Sequence, residues 1–235
     1  MFKAETVPAI VQGDRMAFLK VQVVSGGFVH LKAGVIDIAE FAGAANDTNK
    51  RLVGSQRSIG NLDLYDIIDL RMLSGLVGEL YVDALAKRDP RLTKNPNIDG
   101  YPDLCDMSAT QRNYSPDEFI AFPDGGLEVK NTFGVKRRGA EIGNRASRDG
   151  LVQKTLVWKA HHRETNRLIA LRSDYVDRIP QIVAGYFADN LTPNDWTEKQ
   201  QPKPGSTMTS FCQTRPSAFK KLRDGMIFRH PEYEG

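Results

Sequence analysis

Cysteine is scarce in this sequence, and long apolar runs are missing from it. The 235 residues contain only Cys105 and Cys212, which are too few for a disulfide framework or for a four-ligand zinc site built from thiolates. No stretch approaches the ~18 apolar residues that a membrane-spanning helix needs. Residues 1–18 carry acids and lack the basic-then-apolar pattern of a secretion signal. These absences predict a cytoplasmic protein whose thiols are inert.

Two common enzyme motifs are missing as well. The sequence has no glycine-rich phosphate loop of the Walker type and no GxSxG nucleophile elbow, which argues against nucleotide hydrolysis and serine-hydrolase chemistry. The composition is that of a globular protein, with 40% hydrophobic and 26% charged residues and a mean hydropathy of −0.41. Its length and the lack of internal repeats favour a single domain over residues 1–235.

Charge is unevenly distributed, although the net charge is only +3. Residues 1–129 hold 13 Lys and Arg against 18 acids, whereas residues 130–172 hold 11 against 3. Residues 203–229 are basic again, with 6 against 1. Such segregation suggests a polyanionic partner such as nucleic acid. The alternative, that these residues simply lie on solvated faces, stays open on charge alone.

The apolar pattern predicts one long helix before a series of strands. Apolar residues between Leu64 and Leu85 recur every three or four positions, which predicts a helix over 63–87 with a break near Ser74 and Gly75. Glu79 stands within this apolar stretch, so it needs a partner or a site. After a polar loop, runs of β type predict a hairpin of residues 118–122 and 127–131.

Three more extended segments follow the hairpin. They cover residues 155–161, 168–176 and 181–188. A helix followed by a run of strands predicts an α/β fold with a mixed central β-sheet flanked by helices. The catalytic core is expected at about residues 63–190.

The second hairpin strand carries the clearest chemical signal. Glu128 and Lys130 are two positions apart, so they lie on one face of the strand while Val129 points into the core. Asp103 follows a proline upstream. Two acids that converge near a lysine form a site for Mg²⁺, which prefers oxygen ligands and keeps several waters. These groups suit phosphodiester hydrolysis, because the metal neutralises developing charge and the lysine orients the attacking hydroxide.

The segments GYPDLCD (100–106) and GGLEVKNTFG (125–134) resemble the PD-(D/E)xK nuclease superfamily, in particular type II restriction endonucleases. The resemblance extends to VWKAHHRETNRLIAL and IPQIVAGYFADNLTPNDW. It implies a restriction-endonuclease-like fold and Mg²⁺-dependent cleavage of double-stranded DNA. It also implies a homodimer that acts on a short palindrome. The resemblance makes Asp103 and Glu128 the metal ligands and Lys130 the catalytic lysine, with Glu79 as a looser match to the helix acid of such sites.

A second aspartate is an alternative to Asp103 as the upstream metal ligand. Pro116-Asp117 is a second proline-aspartate pair, and the register of the predicted hairpin places Asp117 on the same face as Glu128 and Lys130. Asp103 is preferred, because its flanking residues resemble the nuclease pattern better.

Other residues are candidates for DNA contact. Lysine and arginine supply sequence-independent affinity for phosphates, and hydroxyl or guanidinium groups read base edges. The predicted DNA-binding residues are Lys136, Arg137, Arg138, Arg145, His162, Arg163, Thr209 and Arg215. Residues 203–235 are a candidate recognition element, and the roles of the adjacent His161 and His162 stay undecided.

The favoured interpretation is a type II restriction endonuclease that cuts both strands of a specific site with Mg²⁺. A structure-specific or repair nuclease with the same core is the closest alternative. A non-catalytic DNA-binding protein, in which the motif residues are surface charges, is an alternative of another class. Because one chain offers one acid-x-lysine site, symmetric cutting of a duplex predicts a homodimer.

Overall fold

The computed structural model describes residues 18–24, 26–31, 34–58, 64–96, 100–106, 126–133, 157–163, 165–176, 178–205 and 210–233. The helices are α1 (Ile38–Ser58), α2 (Leu64–Ile67), α3 (Leu70–Arg88) and α4 (Pro216–Asp224). The strands are β1 (Gln22–Val23), β2 (Phe28–Leu31), β3 (Gly34–Asp37), β4 (Leu92–Lys94), β5 (Leu104–Asp106), β6 (Glu128–Phe133), β7 (Val157–Lys159), β8 (Leu168–Val176), β9 (Ile179–Ala188), β10 (Phe211–Gln213) and β11 (Met226–Arg229).

The central sheet contains five strands in the order β1-β11-β9-β8-β6. Strand β6 runs parallel to β8, whereas the other pairs of this sheet are antiparallel. The sheet is therefore mixed, and together with the helices it confirms the α/β class predicted from the sequence. Three two-stranded ladders, β2-β3, β4-β5 and β7-β10, complete the strand pairing of the described residues.

Each face of the sheet buries its own apolar cluster. Along β8, Ile169 and Leu171 pack with residues of α1 and α3, while Leu168 and Ala170 pack with Trp158 and residues of α4. This alternation follows from the two-residue period of a strand. Because both faces are covered, β8 and β9 are buried along nearly their whole length.

An asparagine joins α1 to an irregular point of the sheet. The pairing of β8 with β9 shifts register between Arg172 and Ser173, near Ile182. The side chain of Asn49 accepts from the Ile182 backbone N–H at 2.7 Å and donates to its carbonyl at 3.0 Å. This completely buried amide therefore supplies hydrogen bonds to backbone groups at the bulge.

The predicted helix break lies elsewhere than expected. The chain leaves the helical state at residues 68–69, and the expected break at Ser74 and Gly75 is wrong. Asp69 caps α3 by accepting from the Arg71 backbone N–H at 2.8 Å, which is the hydrogen bond that an aspartate N-cap supplies. A Cβ at Gly75 would meet open space, so the helix continues through this residue.

The strand predictions differ in accuracy. The strand expected at 168–176 is confirmed, and the one expected at 181–188 begins two residues earlier. Of the segment 155–161, the structure describes residues 157–161, which form the short strand β7 and the start of a 3₁₀ turn at Ala160–Arg163. The strand at 127–131 is observed as β6, but residues 118–122, its expected hairpin partner, lie outside the described residues.

No helix within the described ranges combines the length and the apolar character that crossing a bilayer requires. The two cysteines are free thiols and are buried. Burial raises the pKa of Cys105 to about 12 and that of Cys212 to about 11, so neither thiol is ionised near neutral pH. This agrees with the prediction that they are chemically inert.

Candidate functional site

Strand β6 presents Glu128 and Lys130 on one face of the sheet. Val129 between them packs into the cluster on the opposite face, as predicted. Glu128 pairs with Leu168 and Lys130 pairs with Ala170 on β8, both members of the Trp158 cluster. The Glu128 side chain is only 4% exposed, so it is not one half of an ordinary surface ion pair.

Asp103 reaches the same strand through a backbone pairing. Leu104 and Leu127 exchange two backbone hydrogen bonds, at 3.0 and 2.8 Å. Gly126 makes this approach possible, because it has a positive φ of 106° and any Cβ there would collide with the Leu104 carbonyl oxygen. The Asp103 carboxylate then accepts from the Val129 backbone N–H at 2.8 Å. The two acids of the predicted motif, separated by 25 positions in the chain, are therefore neighbours.

The two carboxyl groups repel each other in a buried place. Burial and the nearby charge of Glu128 raise the pKa of Asp103 to about 8. Burial also acts to raise the pKa of Glu128, but the hydrogen bond from His161 and the electrostatic interactions with the His162 and His161 rings outweigh it, so this pKa is lowered. The site thus favours one ionised carboxylate, because the charge of Lys159, which acts to lower the pKa of Asp103, does not offset burial and the charge of Glu128.

Two histidines contact Glu128 from the 3₁₀ turn that follows β7. The Nε2 atom of His161 lies 3.1 Å from Glu128 Oε1 and is hydrogen-bonded to it. The Nε2 atom of His162 lies 3.3 Å from the same oxygen but has no hydrogen-bond partner. Burial lowers the pKa of His162 to about 3, so this imidazole is neutral.

Aromatic rings hold both imidazoles in place. Tyr101 stacks on His161 with ring centroids 4.9 Å apart, and His161 stacks on His162 at 4.5 Å. Trp158 meets His162 edge-on at 5.0 Å and Trp196 at 5.2 Å. These contacts restrict the rotamers of both imidazoles, which would otherwise adopt several orientations.

Lys130 lies half-buried beside the same rings. Its ammonium is 5.6 Å from the centroid of Trp158. Burial lowers the pKa of Lys130, the charge of Glu128 opposes this effect, and the charge of Lys159 adds to it. A lysine in such surroundings gives up its proton more readily than a solvated one.

The arrangement can hold a metal ion. Within the part of the chain that the structure describes, Glu128, His161 and His162 offer ligand atoms that all lie within 4.8 Å of one another. The second carboxylate oxygen of Glu128 is buried and has no hydrogen-bond partner. A bound cation would satisfy this oxygen, because buried carboxylate oxygens need a hydrogen-bond donor or a metal.

Glu79 lies at the edge of this site and has another partner. It is exposed on α3 and forms an ion pair with Lys94 of β4. The sequence predicted that Glu79 needs a partner or a site, because it lies in an apolar stretch. Lys94 is this partner. The charge of Glu79 still acts on Asp103, whose pKa it raises further.

Two predicted DNA-binding arginines make contacts within the protein. Arg163 donates to the Thr197 carbonyl at 2.5 Å and pairs with Glu198. Arg215 donates to the Trp196 carbonyl at 2.9 Å. His162 is 4% exposed and faces Glu128. Lys136, Arg137, Arg138, Arg145, Thr209 and the alternative ligand Asp117 lie outside the described residues.

The sequence reasoning overlooked three residues at this site. They are Tyr101, Trp158 and Lys159. Trp158 and Lys159 directly precede the two histidines in the chain, and Tyr101 stands two residues before Asp103. Aromatic residues close in sequence to the acidic and histidine motifs were therefore the signal from which these contacts with the site could have been predicted.

Comparison of the chain with known protein families, with curated proteins and with solved structures finds no match. The functional argument therefore depends on the geometry of the site itself.

Proposed function

We propose that this protein is a Mg²⁺-dependent endonuclease of the type II restriction class, which hydrolyses both strands of a specific site in double-stranded DNA. The observation that carries the proposal is the meeting of Asp103, Glu128 and Lys130 at one end of β6. Two carboxyl groups and an ammonium at one buried point are the groups that metal-assisted phosphodiester hydrolysis needs.

Asp103 and Glu128 would hold the metal in this proposal. The raised pKa of Asp103 marks a buried pair of acids whose repulsion the nearby lysines do not offset, and a divalent cation supplies further positive charge. When bound, Mg²⁺ activates a water molecule and neutralises charge that develops on the phosphate. The backbone N–H of Val129 orients the Asp103 carboxylate toward β6.

Lys130 would orient the attacking water and stabilise the phosphate charge. Its pKa is lowered by burial, so its ammonium gives up a proton more readily than that of a solvated lysine. Its ammonium lies over the Trp158 ring, and this contact favours a defined position of the ammonium at the site. A mixed sheet with helices on its faces is compatible with the nuclease architecture that the sequence resembles.

The test is cleavage of supercoiled plasmid DNA with Mg²⁺ by Lys130→Met and Glu128→Gln. We expect each variant to lose roughly 100-fold or more in rate, since such groups contribute this much to catalysis. Lys87→Met and Glu40→Gln change side chains of the same types that pair on the surface of α1 and α3, and these variants should cut at the wild-type rate. Full cleavage by both site variants would refute the assignment.

The products separate the remaining alternatives. Discrete bands would support a site-specific enzyme, and a smear would support a nuclease without sequence specificity. DNA binding that falls with salt, is indifferent to Mg²⁺ and leaves no nicks would instead support a non-catalytic DNA-binding protein.

A further inference from the structure

The two histidines beside Glu128 are not needed by the nuclease proposal, which uses Asp103, Glu128 and Lys130. We propose that Glu128, His161 and His162 form a binding site for a first-row transition-metal ion, with Zn²⁺ preferred over Mg²⁺. This inference goes beyond the nuclease proposal. Measurements of metal binding test it without any measurement of DNA cleavage.

The donor spacing fits one shared ion. His161 Nε2 and His162 Nε2 lie 3.1 and 3.3 Å from Glu128 Oε1. Two ligand atoms that share a zinc ion at ~2.0–2.2 Å each are roughly 3.0–3.5 Å apart for bond angles between a right angle and the tetrahedral value. Both histidine nitrogens therefore already lie at distances from Glu128 Oε1 close to those between two ligands of one metal ion, and all three ligand atoms lie within 4.8 Å of one another.

The proton on His162 is fixed in the position that metal binding requires. Its Nδ1 atom lies 2.8 Å from the Lys159 carbonyl oxygen, and a carbonyl oxygen can only accept. The Nδ1 atom of His162 therefore carries the proton, and the Nε2 lone pair is directed into the site. Metal-bound histidines commonly donate their other ring N–H to such a carbonyl.

Two buried acceptors at the site lack a donor among the described residues. They are Nε2 of His162 and Oε2 of Glu128, and each side chain is only 4% exposed. A lone pair and a carboxylate that face each other in a buried place are unfavourable unless a proton or a cation lies between them. His161 donates its Nε2 proton to the carboxylate; for an ion to bind there, the proton leaves Nε2 and the neutral ring carries its proton on Nδ1.

The ring stack prepares the site before any ion arrives. Tyr101 covers His161, and Trp158 contacts His162 edge-on. The imidazoles therefore lose little further freedom on binding. Two imidazole nitrogens favour zinc and its neighbours in the series, whereas Mg²⁺ demands oxygen ligands and an octahedral shell.

The test is a calorimetric titration of chelator-treated protein with Zn²⁺ and, separately, with Mg²⁺, without DNA. We expect one Zn²⁺ per chain, bound at least roughly 100-fold more tightly than Mg²⁺. His161→Gln should weaken Zn²⁺ binding by roughly 100-fold or more, because it removes one of three protein ligands. His30→Gln is the matched control, since this histidine is exposed on β2, and its affinity should equal that of the wild type.

Substitution of His162 provides a second measurement. The side chain is buried, so the folding of His162→Gln is first verified by circular dichroism. Co²⁺ bound to the wild type should give a visible absorption spectrum. His162→Gln and His161→Gln should alter this spectrum, and His30→Gln should not.

Several results would overturn the proposal. They are the absence of Zn²⁺ binding, equal affinities for Zn²⁺ and Mg²⁺, or unchanged binding by His161→Gln. Asp103→Asn separates the two proposals, because we expect it to abolish plasmid cleavage but to weaken Zn²⁺ binding by less than about tenfold. A protein that binds Zn²⁺ without cutting DNA would refute the nuclease proposal and leave the zinc site standing.

Discussion

Asp103 and Glu128 lie in an arrangement that costs stability. Their charges repel, and burial weakens the solvation that would compensate. The Asp103 carboxylate accepts a hydrogen bond from the Val129 backbone N–H of β6, and this neutral donor does not cancel the repulsion. Sites that hold like charges together commonly exchange folding stability for ligand binding.

We therefore predict that Asp103→Asn stabilises the metal-free protein. The asparagine oxygen can still accept from Val129, and asparagine is neutral, so folding near neutral pH no longer requires a buried carboxyl group of raised pKa to take up a proton. The free energy of unfolding should rise by about 1 kcal/mol or more. Urea denaturation with a chelator present measures this change, and a lower free energy of unfolding would contradict it.

At the residue scale, the sequence predicted the acids and the lysine better than the histidines. Glu128 and Lys130 are neighbours on a strand, so their shared face follows from local periodicity. The convergence of His161 and His162 on Glu128 depends on Tyr101, about 60 positions earlier in the chain. No local pattern encodes such a contact.

At the scale of elements, Gly126 controls how closely the Asp103 segment approaches β6. Its positive φ and its contact with the Leu104 carbonyl oxygen both exclude a side chain. The position of Asp103 relative to Glu128 therefore depends on a residue that carries no chemical group of its own.

We predict that Gly126→Ala lowers the free energy of unfolding by about 2 kcal/mol or more, because it adds backbone strain and a clash with backbone. Gly54→Ala is the control, since Gly54 lies in α1 and its Cβ would meet open space. That control should raise the free energy of unfolding by about 0.5–1 kcal/mol. Thermal and urea unfolding measure both changes. If Gly126→Ala and Gly54→Ala changed the free energy of unfolding equally, the role of Gly126 would be contradicted.

A second element-scale prediction concerns pH. Asp195 accepts from the Thr192 backbone N–H at 2.8 Å and from Lys221 on α4 at 2.8 Å. Burial acts to raise the pKa of Asp195, but its hydrogen bonds with Lys221, Ser217 and Thr192 lower it below the ordinary value. A lowered carboxyl pKa adds stability above the pKa of the unfolded chain, and this stability is lost as pH falls through the folded value.

Asp195→Asn should therefore reduce the free energy of unfolding by about 1–3 kcal/mol at pH 7. The difference from wild type should shrink below about pH 4, where the unfolded carboxyl takes up its proton. Asp224→Asn is the control, because this acid is exposed and pairs with Lys220 on the surface of α4. A difference that stays constant from pH 7 to acid would count against the ion pair.

Secondary structure was easier to predict than strand pairing. The length and apolar composition of residues 168–176 identified β8 directly. The parallel partner of β6 is this same strand, which begins 35 residues after Phe133. Such a pairing depends on the tertiary fold, and the periodicity of either strand is compatible with several partners.

At the scale of the whole molecule, we predict two chains for each cognate duplex. One chain presents one set of Asp103, Glu128 and Lys130, so symmetric cutting of both strands needs a second copy. Sedimentation equilibrium with a short palindromic duplex would measure the mass of the complex. One chain per duplex would refute the dimer, and accumulation of nicked plasmid before linear product would point to sequential cutting.

Both tryptophans of the chain belong to one cluster beside the site. Trp158 contacts the Lys130 ammonium and the edge of His162, and Trp196 lies next to both rings. The tryptophan fluorescence of this protein therefore originates from the surroundings of Lys130 and His162. A change in emission during a titration therefore reports ligand binding or a change of protonation at these groups. During unfolding, a change in emission that precedes the loss of secondary structure shows that this cluster opens first.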